Sequence, residues 1–443
     1  MTIYALSSGP GISGIAVIRV SGSRAKDILK SITNGKFPDE RVATLKRFIN
    51  PETKELIDEG IAIWFKGPNS YTGEDMIELH THGSKAVVNK LQDILENFDN
   101  CRIAEPGEFT KISFQNNKIN LLKAESIGDL IAAETEIQRR QALRIMSGKT
   151  LEKYNQWREG LLKILSKVEA KIDFPDEDLP ENILKSIKED SEKIKLEIIN
   201  NLEDQQVGER IREGFKIAIV GPTNAGKSSL LNYLSKREVA IVSEIAGTTR
   251  DVIETHLNIN GYPVVLSDTA GIRDSKNEIE KKGIKLALKK AEDADLNIVV
   301  IEPKSSHFTG FLNDLINNKS VLVVNKSDLG IDNMVNEFKK FNPIYISLKK
   351  ENNIDELLIK IKDKIKNQFL NSEEVLITRE RHRQHLKQVV LNLENFENKK
   401  EVEDFDKAAE DLRLATRHLG MIVGKVDVEE ILGSIFNDFC IGK

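Results

Sequence analysis

The chain has 443 residues, of which 40% are hydrophobic and 30% are charged, and its formal net charge is −5 at pH 7. This length is too great for one ordinary hydrophobic core and predicts two or three domains of a helix-rich globular protein. The acidic balance argues against a protein that coats nucleic acid nonspecifically, although a local basic face is still compatible with RNA binding. Two cysteines, Cys101 and Cys440, are too few for a disulfide framework and predict thiols in a reducing compartment.

The first residues, "MTIYALSSGPGISGIAVIRV", lack the basic start and continuous apolar core of a secretory signal. No later apolar run approaches membrane-spanning length, so we expect a cytoplasmic protein without a membrane partner. Short β-rich runs such as "GIAVIRV" and "GIAIWF", broken by Gly, Pro and Asn, predict a small α+β domain over residues 1–116.

Helical spacing, with apolar residues three and four apart, begins at "INLLKAESIGDLIAAETEIQRRQALRIMSG" and returns in the last part of the chain. Between the two helical parts, "FKIAIVGPTNAGKSSLLNYL" changes to a buried strand, a loop and a helix, which is the start of an α/β pattern. We therefore predict a helical domain, 117–211 plus 371–443, into which an α/β domain, 212–370, is inserted.

The segment "GPTNAGKS", from Gly221 to Ser228, matches a phosphate-binding loop. Its glycines allow backbone N–H groups to surround phosphates, Lys227 meets their charge, and Ser228 offers a hydroxyl to Mg²⁺. A chance match in a surface turn is the alternative. The strand-like "KIAIV" before the loop and the helical "SSLLNYL" after it argue against that alternative.

Base identity is indicated by "NKSD", residues 325–328, which follows the strand-like "VLVV". The Asp328 carboxylate can accept hydrogen bonds from both N1–H and the exocyclic amine of guanine, whereas adenine has no such paired donors on that edge. The ligand is therefore expected to be GTP or GDP. The segment "ISLKK", residues 346–350, would supply the last base contact, but Leu348 stands where GTPases usually carry alanine.

Two further segments match the switch regions of GTPases. In "EIAGTTRD", residues 244–251, Thr249 offers a second hydroxyl to Mg²⁺, although "GTTRD" alone is equally compatible with a hydrophilic loop. In "DTAG", residues 268–271, Asp268 suits the metal shell and Gly271 a γ-phosphate contact. Between them, the Asn260-Gly261 pair predicts a hairpin.

The residue after "DTAG" is Ile272, whose side chain cannot orient an attacking water as the Ras glutamine does. Another polar group must replace it. The following segment offers Arg273, Asp274, Glu278 and Glu280, and spacing alone does not choose among them.

The set "GPTNAGKS", "IAGTTRD", "DTAGIRDSKNEIE" and "NKSD", inserted in helices and followed by a terminal "FCIGK", resembles the tRNA-modifying GTPase family called MnmE or TrmE over the whole chain. The resemblance implies an N-terminal folate-binding and dimerisation domain, a central helical domain and an inserted Ras-like G domain. It also implies K⁺-dependent hydrolysis of GTP by a homodimer, with Glu280 as the catalytic carboxylate and Arg273 as a secondary choice.

The same resemblance assigns K⁺ ligands to Asn224, Ser243, Ile245 and Thr248, in addition to the Mg²⁺ ligands Ser228 and Thr249 that the motifs indicate. The alternative is that Asn224 serves only the conformation of the loop and binds no ion. The residues assigned to GTP are Asn224, Ala225, Gly226, Lys227, Ser228, Ser229, Ser243, Glu244, Ile245, Ala246, Gly247, Thr248, Thr249, Asp268, Thr269, Ala270, Gly271, Asn325, Lys326, Asp328, Ser347, Leu348 and Lys349.

Two motifs in the first domain have alternatives. The segment "GPGISG" formally matches a dinucleotide fingerprint, but a strand-like run follows it where a helix is required, so we reject a Rossmann site. In "ELHTH", a strand would place Glu78, His80 and His82 on one face, but a fourth metal ligand is not apparent. We expect these histidines to be unligated.

The family resemblance assigns this domain a tetrahydrofolate one-carbon donor, 5-formyl- or 5,10-methylene-tetrahydrofolate. Its site matches Arg19, Glu78 and Lys118. The two cations would bind the folate glutamate, and the Glu78 carboxylate would bind the pterin. Solvated surface charges are the alternative for all three. In the tail "FCIGK", Lys443 would be a further folate contact, and Cys440 would take part in tRNA modification unless it is a packed apolar residue.

The function implied by the family is GTP hydrolysis coupled to modification of carbon 5 of the wobble uridine in certain tRNAs, giving an aminomethyl or carboxymethylaminomethyl group. The family acts with an FAD-containing partner, MnmG, in a heterotetramer, so flavin chemistry belongs to that partner. The alternative is a GTP-controlled switch of the Era or EngA type, which binds RNA or assists ribosome assembly without one-carbon chemistry.

Overall fold

A computed structural model describes residues 1–33, 35–173, 182–204, 206–222, 224–237, 239–241, 254–268, 289–303, 315–330, 341–369, 375–399, 405–426, 432, 435–436, 439 and 441–442. The chain forms two compact units. The first contains Met1–Gly128, Ile145–Arg158 and Thr416–Lys443, and the second contains Asp129–Arg144 and Glu159–Ala415. The three sequence domains 1–116, 117–211 plus 371–443, and 212–370 stay a prediction.

The first unit contains a six-stranded sheet. Its strands are β1 (Thr2–Leu6), β2 (Ser13–Ser21), β3 (Thr44–Ile49), β4 (Leu56–Phe65), β5 (Met76–Gly83) and β6 (Cys101–Ile103). The order is β3-β4-β5-β2-β1-β6, and each neighbouring pair is antiparallel except β1 and β6. Alternation in "GIAVIRV" buries Ala16, Ile18 and Val20 on one face of β2.

Helices pack against both faces of this sheet, because Tyr4 of β1 lies in one hydrophobic cluster whereas the adjacent Ile3 and Ala5 lie in another with Phe109. The helices are α1 (Ala25–Ile32), α2 (Lys85–Glu96) and α3 (Glu108–Gln115). Apolar residues of α1 and α2, such as Ile28 and Leu91, pack with Ile18 of β2 in one core. The α+β architecture predicted for this region is confirmed.

The predicted helical region is confirmed as well. Its helices are α4 (Leu121–Ile131), α5 (Glu136–Met146), α6 (Lys149–Asp173), α7 (Asn182–Leu202) and α8 (Val207–Glu213), with α11 (Glu380–Asn398) and α12 (Phe405–Val423) late in the chain. In α6, Tyr154 and Trp157 are buried and meet edge to face at 5.7 Å between ring centroids. Among the described residues, helices long and apolar enough to cross a membrane are absent.

The second unit contains a seven-stranded sheet. Its strands are β7 (Phe215–Val220), β8 (Val239–Ile241), β9 (Glu254–Ile259), β10 (Tyr262–Asp268), β11 (Leu296–Ile301), β12 (Ser320–Val324) and β13 (Ile344–Tyr345). The order is β13-β12-β11-β7-β10-β9-β8, and the described helices of this unit include α9 (Lys227–Arg237) and α10 (Ile354–Gln368). Strands β7, β10, β11, β12 and β13 are parallel. Their carboxyl ends share one edge, where open α/β sheets bind ligands.

The predicted hairpin joins β9 to β10. Ile259 pairs with Tyr262, and the two residues between them, Asn260 and Gly261, have φ of 53° and 88°. Positive φ at both central residues is typical of a tight turn that matches the twist of the strands. The hairpin prediction is therefore confirmed.

Candidate functional site

The phosphate loop connects the carboxyl end of β7 to the first residue of α9. Gly221, Asn224 and Gly226 have φ of 149°, 62° and 98°, so the loop turns through conformations that favour glycine and asparagine. A Cβ on Gly221 would lie 2.0 Å from the carbonyl oxygen of Val300 on β11. The glycine therefore permits a close approach of backbone to backbone where the loop leaves β7.

Lys227 is buried at the first position of α9, and its Nζ donates a hydrogen bond to the carbonyl oxygen of Pro222 at 2.8 Å. The ammonium thus lies across the loop that the sequence predicts to surround phosphates. Ser228 and Ser229 follow on the first turn of the helix and are exposed. Their hydroxyl groups are accessible to a ligand or an ion.

Asn325 connects three motifs that are distant in sequence. Its side-chain Nδ2 donates to the carbonyl oxygen of Ala225 at 2.9 Å, and its Oδ1 accepts from the backbone N–H of Leu348 at 3.3 Å. The Asn325 side chain is buried, so its bond to Ala225 forms away from water. The phosphate loop, "NKSD" and "ISLKK" therefore meet at one edge of the sheet.

Asp328 lies on a short 3-10 turn, Ser327–Leu329, that follows β12. The Ser347 hydroxyl donates to its Oδ1 at 2.7 Å, and this hydrogen bond lowers the pKa of the Asp328 carboxyl below its ordinary value. The group is ionised at neutral pH and acts as an acceptor. Lys349 and Lys350 add positive charge that lowers the same pKa.

The remaining nucleotide residues belong largely to segments outside the described part of the chain. Asp268 ends β10, where its backbone pairs with Ile219 of β7, which puts it at the same sheet edge. The residues outside the described ranges are Ser243, Glu244, Ile245, Ala246, Gly247, Thr248, Thr249, Thr269, Ala270, Gly271, Arg273, Glu280, Cys440 and Lys443. Their assigned roles stay predictions.

In the first unit, Arg19 and Glu78 are directly opposite each other on the antiparallel pair β2 and β5. The guanidinium Nη2 and Nε lie 2.8 and 3.1 Å from the same carboxylate oxygen. The guanidinium also lies 5.5 Å from the ring centroid of Tyr71 and 5.6 Å from that of Phe109. Two of the predicted folate residues are thus brought together, and they pair with each other.

Lys118 is exposed and follows α3. A Cβ on Gly73, whose φ is 81°, would lie 3.1 Å from Lys118 Cε, so the lysine stem runs against the turn that contains this glycine. Tyr71, two residues earlier in that turn, donates or accepts a 2.8 Å hydrogen bond with Thr110 of α3. The turn therefore contacts both Arg19 and Lys118.

Glu78, His80 and His82 share one face of β5, as alternation predicts. Two of these three side chains are paired with residues of neighbouring strands. Glu78 pairs with Arg19 of β2, and His82 Nδ1 lies 2.8 Å from Asp58 Oδ1 of β4. His80 Nε2 lies 3.5 Å from Glu78 Oε2. Within the described ranges, groups of three potential metal ligands are absent.

The last described residues of the chain dock on the first sheet. Ile441 forms an antiparallel bridge with Pro106, and the carbonyl oxygen of Gly442 accepts a 2.8 Å hydrogen bond from the Ser7 hydroxyl. Gly442 has φ of 95°, and a Cβ on it would lie 2.2 Å from the carbonyl oxygen of Leu6. The backbone between Cys440 and Lys443 is therefore seated at the end of β1.

The other cysteine is half-buried in β6, where it packs against the core of the first sheet. Burial raises the pKa of the Cys101 thiol to about 11. A thiol with this pKa is protonated and unreactive at neutral pH. Cys101 is therefore not a candidate nucleophile.

Sequence reasoning missed several residues that contact the candidate sites. Tyr71 and Phe109 carry no motif of their own, and they contact Arg19 only because the fold brings a turn and helix α3 to β2. Glu302, one residue beyond β11, has its Oε2 at 2.6 Å from the Nζ of Lys326. A carboxylate directly after a buried strand that neighbours the phosphate-loop strand was the available signal for Glu302.

Comparison with known proteins gives a consistent result along the chain. Residues 2–118 match the family model "GTP-binding protein TrmE N-terminus", and residues 121–440 match the model "MnmE helical domain". A protein of Pelagibacter ubique (strain HTCC1062) named tRNA modification GTPase MnmE is 68% identical over 443 residues, which is all of both chains. A protein of the same name from Rickettsia bellii (strain RML369-C) is 46% identical over 446 residues, again covering all of both.

Solved structures match less of the chain. The G domain of the Thermotoga maritima FeoB iron transporter is 24% identical and covers 34% of this chain and 98% of its own, with a TM-score of 0.26, which is too low to support any conclusion. The full-length relatives match both terminal regions as well as the G domain, which favours the MnmE family over an Era- or EngA-type switch. The chain belongs to the MnmE/TrmE family of tRNA modification GTPases.

Proposed function

We propose that this GTPase hydrolyses GTP in a K⁺-dependent reaction and modifies carbon 5 of the wobble uridine in certain tRNAs. The reaction would use a tetrahydrofolate one-carbon unit and an FAD-containing partner of the MnmG type, in the cytoplasm. The proposal that GTP binds here rests on one observation. Three motifs meet at one edge of the sheet, where the Asn325 side chain forms hydrogen bonds with Ala225 and Leu348. The ion, the one-carbon donor and the partner are the finer parts of the proposal.

The nucleotide would lie along the carboxyl edge of the second sheet. Backbone N–H groups of the loop and the Lys227 ammonium face the phosphates, while the ionised Asp328 accepts hydrogen bonds from the guanine edge. The exposed hydroxyl of Ser228 is the hard oxygen donor that Mg²⁺ prefers. The exposed Asn224, with left-handed backbone, offers a neutral amide oxygen of the kind that suits K⁺. When bound, the two cations supply positive charge beside the β- and γ-phosphates.

Water attack on the γ-phosphate needs an oriented nucleophile, and the aliphatic Ile272 has no group for that task. We assign the task to Glu280, whose carboxylate accepts a hydrogen bond from the water directly or through a second water. Arg273 would balance charge that develops on the transferred phosphoryl group. The products are GDP and inorganic phosphate.

The one-carbon site would lie on the first sheet around Arg19, Glu78 and Lys118. The Arg19–Glu78 pair over Tyr71 and Phe109 gives a rigid, nearly neutral surface for a flat pterin ring. Lys118 is exposed and supplies positive charge for the folate glutamate. The family resemblance predicts that both Arg19 and Lys118 bind the folate glutamate. We assign that role to Lys118 alone, because the Arg19 guanidinium is paired with the Glu78 carboxylate.

The tail would complete this site. Gly442 is seated against Leu6 and Ser7 at the end of β1. We propose Lys443 as a folate contact and Cys440 as a participant in uridine modification. Homodimerisation, and a heterotetramer with the MnmG-type partner, complete the proposed assembly.

The test is reconstitution of the full chain with an MnmG-type partner, tRNA, GTP, 5,10-methylene-tetrahydrofolate and ammonium or glycine as the source of the product's nitrogen, with mass spectrometry of the wobble nucleoside. We expect the modified uridine only when all components are present, and faster GTP hydrolysis in K⁺ than in Na⁺. Equal hydrolysis rates in the two salts would remove the K⁺ role. Hydrolysis without modified uridine in the complete mixture would support the Era-type alternative.

The folate site has its own test, by titration of the full chain with 5-formyl-tetrahydrofolate. Arg19→Ala should weaken binding about tenfold or more, because it removes a charge-assisted contact and leaves Glu78 unpaired. Arg47→Ala is the matched control, since Arg47 pairs with Glu59 at 2.8 Å on an exposed part of the same sheet. Equal loss in both variants would contradict the assignment. Sedimentation of the same protein tests the homodimer.

A further inference from the structure

Glu302 places a carboxylate in a region otherwise suited to anions. In the parallel ladder, Val299 of β11 pairs with Val220 of β7, and Ile301 pairs with Val324 of β12. Glu302 therefore follows β11 between the phosphate loop and Asn325. A carboxylate at this edge would repel nucleotide phosphates unless a cation neutralises it.

The neutralising cation is Lys326, the second residue of "NKSD". The two side chains are about one-third exposed, at 35% for Lys326 and 28% for Glu302, and their charged atoms are 2.6 Å apart. The pair therefore lies at the border of the site, where water weakens but does not abolish the attraction.

The backbone on both sides of Lys326 is fixed. The N–H of Asn325 donates to the carbonyl oxygen of Ile301 at 2.8 Å, and the N–H of Ser327 donates to that of Ile346 at 3.0 Å. Lys326 itself has φ of 59°, a left-handed conformation that is uncommon for residues other than glycine. The root of the lysine side chain is thus held by the sheet, and the ion pair with Glu302 holds its far end.

We propose that Glu302 is a positioning residue for guanine binding, which holds the Lys326 ammonium so that the aliphatic stem forms a wall of the base pocket before nucleotide arrives. The inference rests on the guanine-binding role proposed for Asp328, two residues after Lys326, and deepens it. A preformed wall reduces the ordering of side chains that binding otherwise requires. Because the wall contacts the base, its effect is equal for GDP and GTP and appears mainly in the dissociation rate.

The experiment measures methylanthraniloyl-GDP binding to the full chain by stopped-flow fluorescence. Glu302→Gln keeps the shape of the side chain and removes its charge, and we expect a three- to fivefold rise in Kd for GDP through faster release, an effect of about the size of a partly exposed ion pair. Glu302→Asp should recover part of the loss. The rate of GTP hydrolysis at saturating GTP should stay unchanged, because the base wall does not contact the reacting phosphate.

A double-mutant cycle separates positioning from a structural effect. Lys326→Met keeps an unbranched apolar stem without the ammonium, so adding Glu302→Gln to Lys326→Met should cause no further loss of affinity. Additive losses would overturn the proposal, as would wild-type affinity in Glu302→Gln.

The matched control is Asp355→Asn, which breaks the exposed 2.6 Å pair between Asp355 and Arg237 in the same domain. We expect wild-type affinity for GDP in this variant, and a loss equal to that of Glu302→Gln would overturn the proposal. Failure of the guanine site is a separate result, because it would appear as equal affinity of the unaltered protein for GDP and ADP.

Discussion

The phosphate loop and the first-sheet site hold their charges in opposite ways. At the loop, the Lys227 Nζ donates a hydrogen bond to a neutral group, the carbonyl oxygen of Pro222 in the same loop. On the first sheet, Arg19 is paired with Glu78 across two strands and lies over aromatic rings. The first arrangement suits a multiply charged anion such as a nucleotide, whereas the second suits a flat ligand with one anionic end.

The difference also affects how each site responds to substitution. Loss of one cation at the loop removes attraction for phosphate. Loss of Arg19 leaves the half-buried carboxylate of Glu78 without its partner, so ligand affinity and local stability fall together.

The largest expected effect is at the proposed catalytic carboxylate. Glu280→Ala should lower the rate of GTP hydrolysis in K⁺ by about 10²- to 10⁴-fold, the range typical of a lost general base, with nearly unchanged GTP affinity. The measurement is phosphate release at saturating GTP, with 5-formyl-tetrahydrofolate affinity as the reference for the first sheet.

Glu278→Ala is the matched control, because it removes the same charge two residues earlier. Retained turnover in Glu280→Ala would move the role to another polar residue of the segment. A loss confined to Glu278→Ala would identify that residue.

The second prediction concerns base selection. Asp328→Asn replaces an acceptor by an amide that can donate to the carbonyl at carbon 2 of xanthine, so the preference for guanine over xanthine nucleotides should fall by about 10²-fold or more. Competition of GDP and XDP for the methylanthraniloyl-GDP site measures the change. Unchanged preference would show that Asp328 does not contact the base edge, even though Ser347 orients its carboxylate.

The backbone of the phosphate loop is predictable from the sequence because the loop is one contiguous motif. The loop needs residues that tolerate positive φ. Glycine or asparagine stands at three loop positions with positive φ, Gly221, Asn224 and Gly226, so this requirement is visible in the sequence. The Asn260-Gly261 hairpin is predictable for the same reason. Leu348 departs from the usual alanine, yet its backbone N–H still reaches Asn325.

The first-sheet site is less predictable because its contacts join distant strands. Alternation correctly places Glu78, His80 and His82 on one face of β5, but their partners come from elsewhere. Arg19 is 59 residues from Glu78 in sequence, and Asp58 reaches His82 from β4. These pairs depend on strand register, which one sequence does not specify.

The third prediction separates the two sites through the tail. Gly442→Ala should lower the yield of modified uridine about tenfold, because the new Cβ would lie 2.2 Å from the Leu6 carbonyl oxygen and the tail must leave its seat. The hydrolysis of GTP by the same variant should stay at the wild-type rate. Mass spectrometry of tRNA and phosphate release measure the two outcomes.

Gly35→Ala is the control for backbone conformation alone. Gly35 has φ of 88°, close to that of Gly442, but a Cβ there would meet no atom within 4 Å. Equal losses of modification in the two variants would mean that backbone strain, and not displacement of the tail, causes the defect.

The smallest expected effect is at Leu348. Leu348→Ala keeps the backbone N–H that lies 3.3 Å from Asn325 Oδ1, so GDP affinity should stay within about twofold of wild type. The variant loses apolar contacts with the core of the second sheet and should be less stable by about 1 kcal/mol in denaturant unfolding. Asn325→Ala is the comparison, because it breaks both side-chain bonds that join the motifs and should weaken GDP binding at least tenfold. If Leu348→Ala were the weaker binder of the two, the side chain and not the backbone would make the contact at this position.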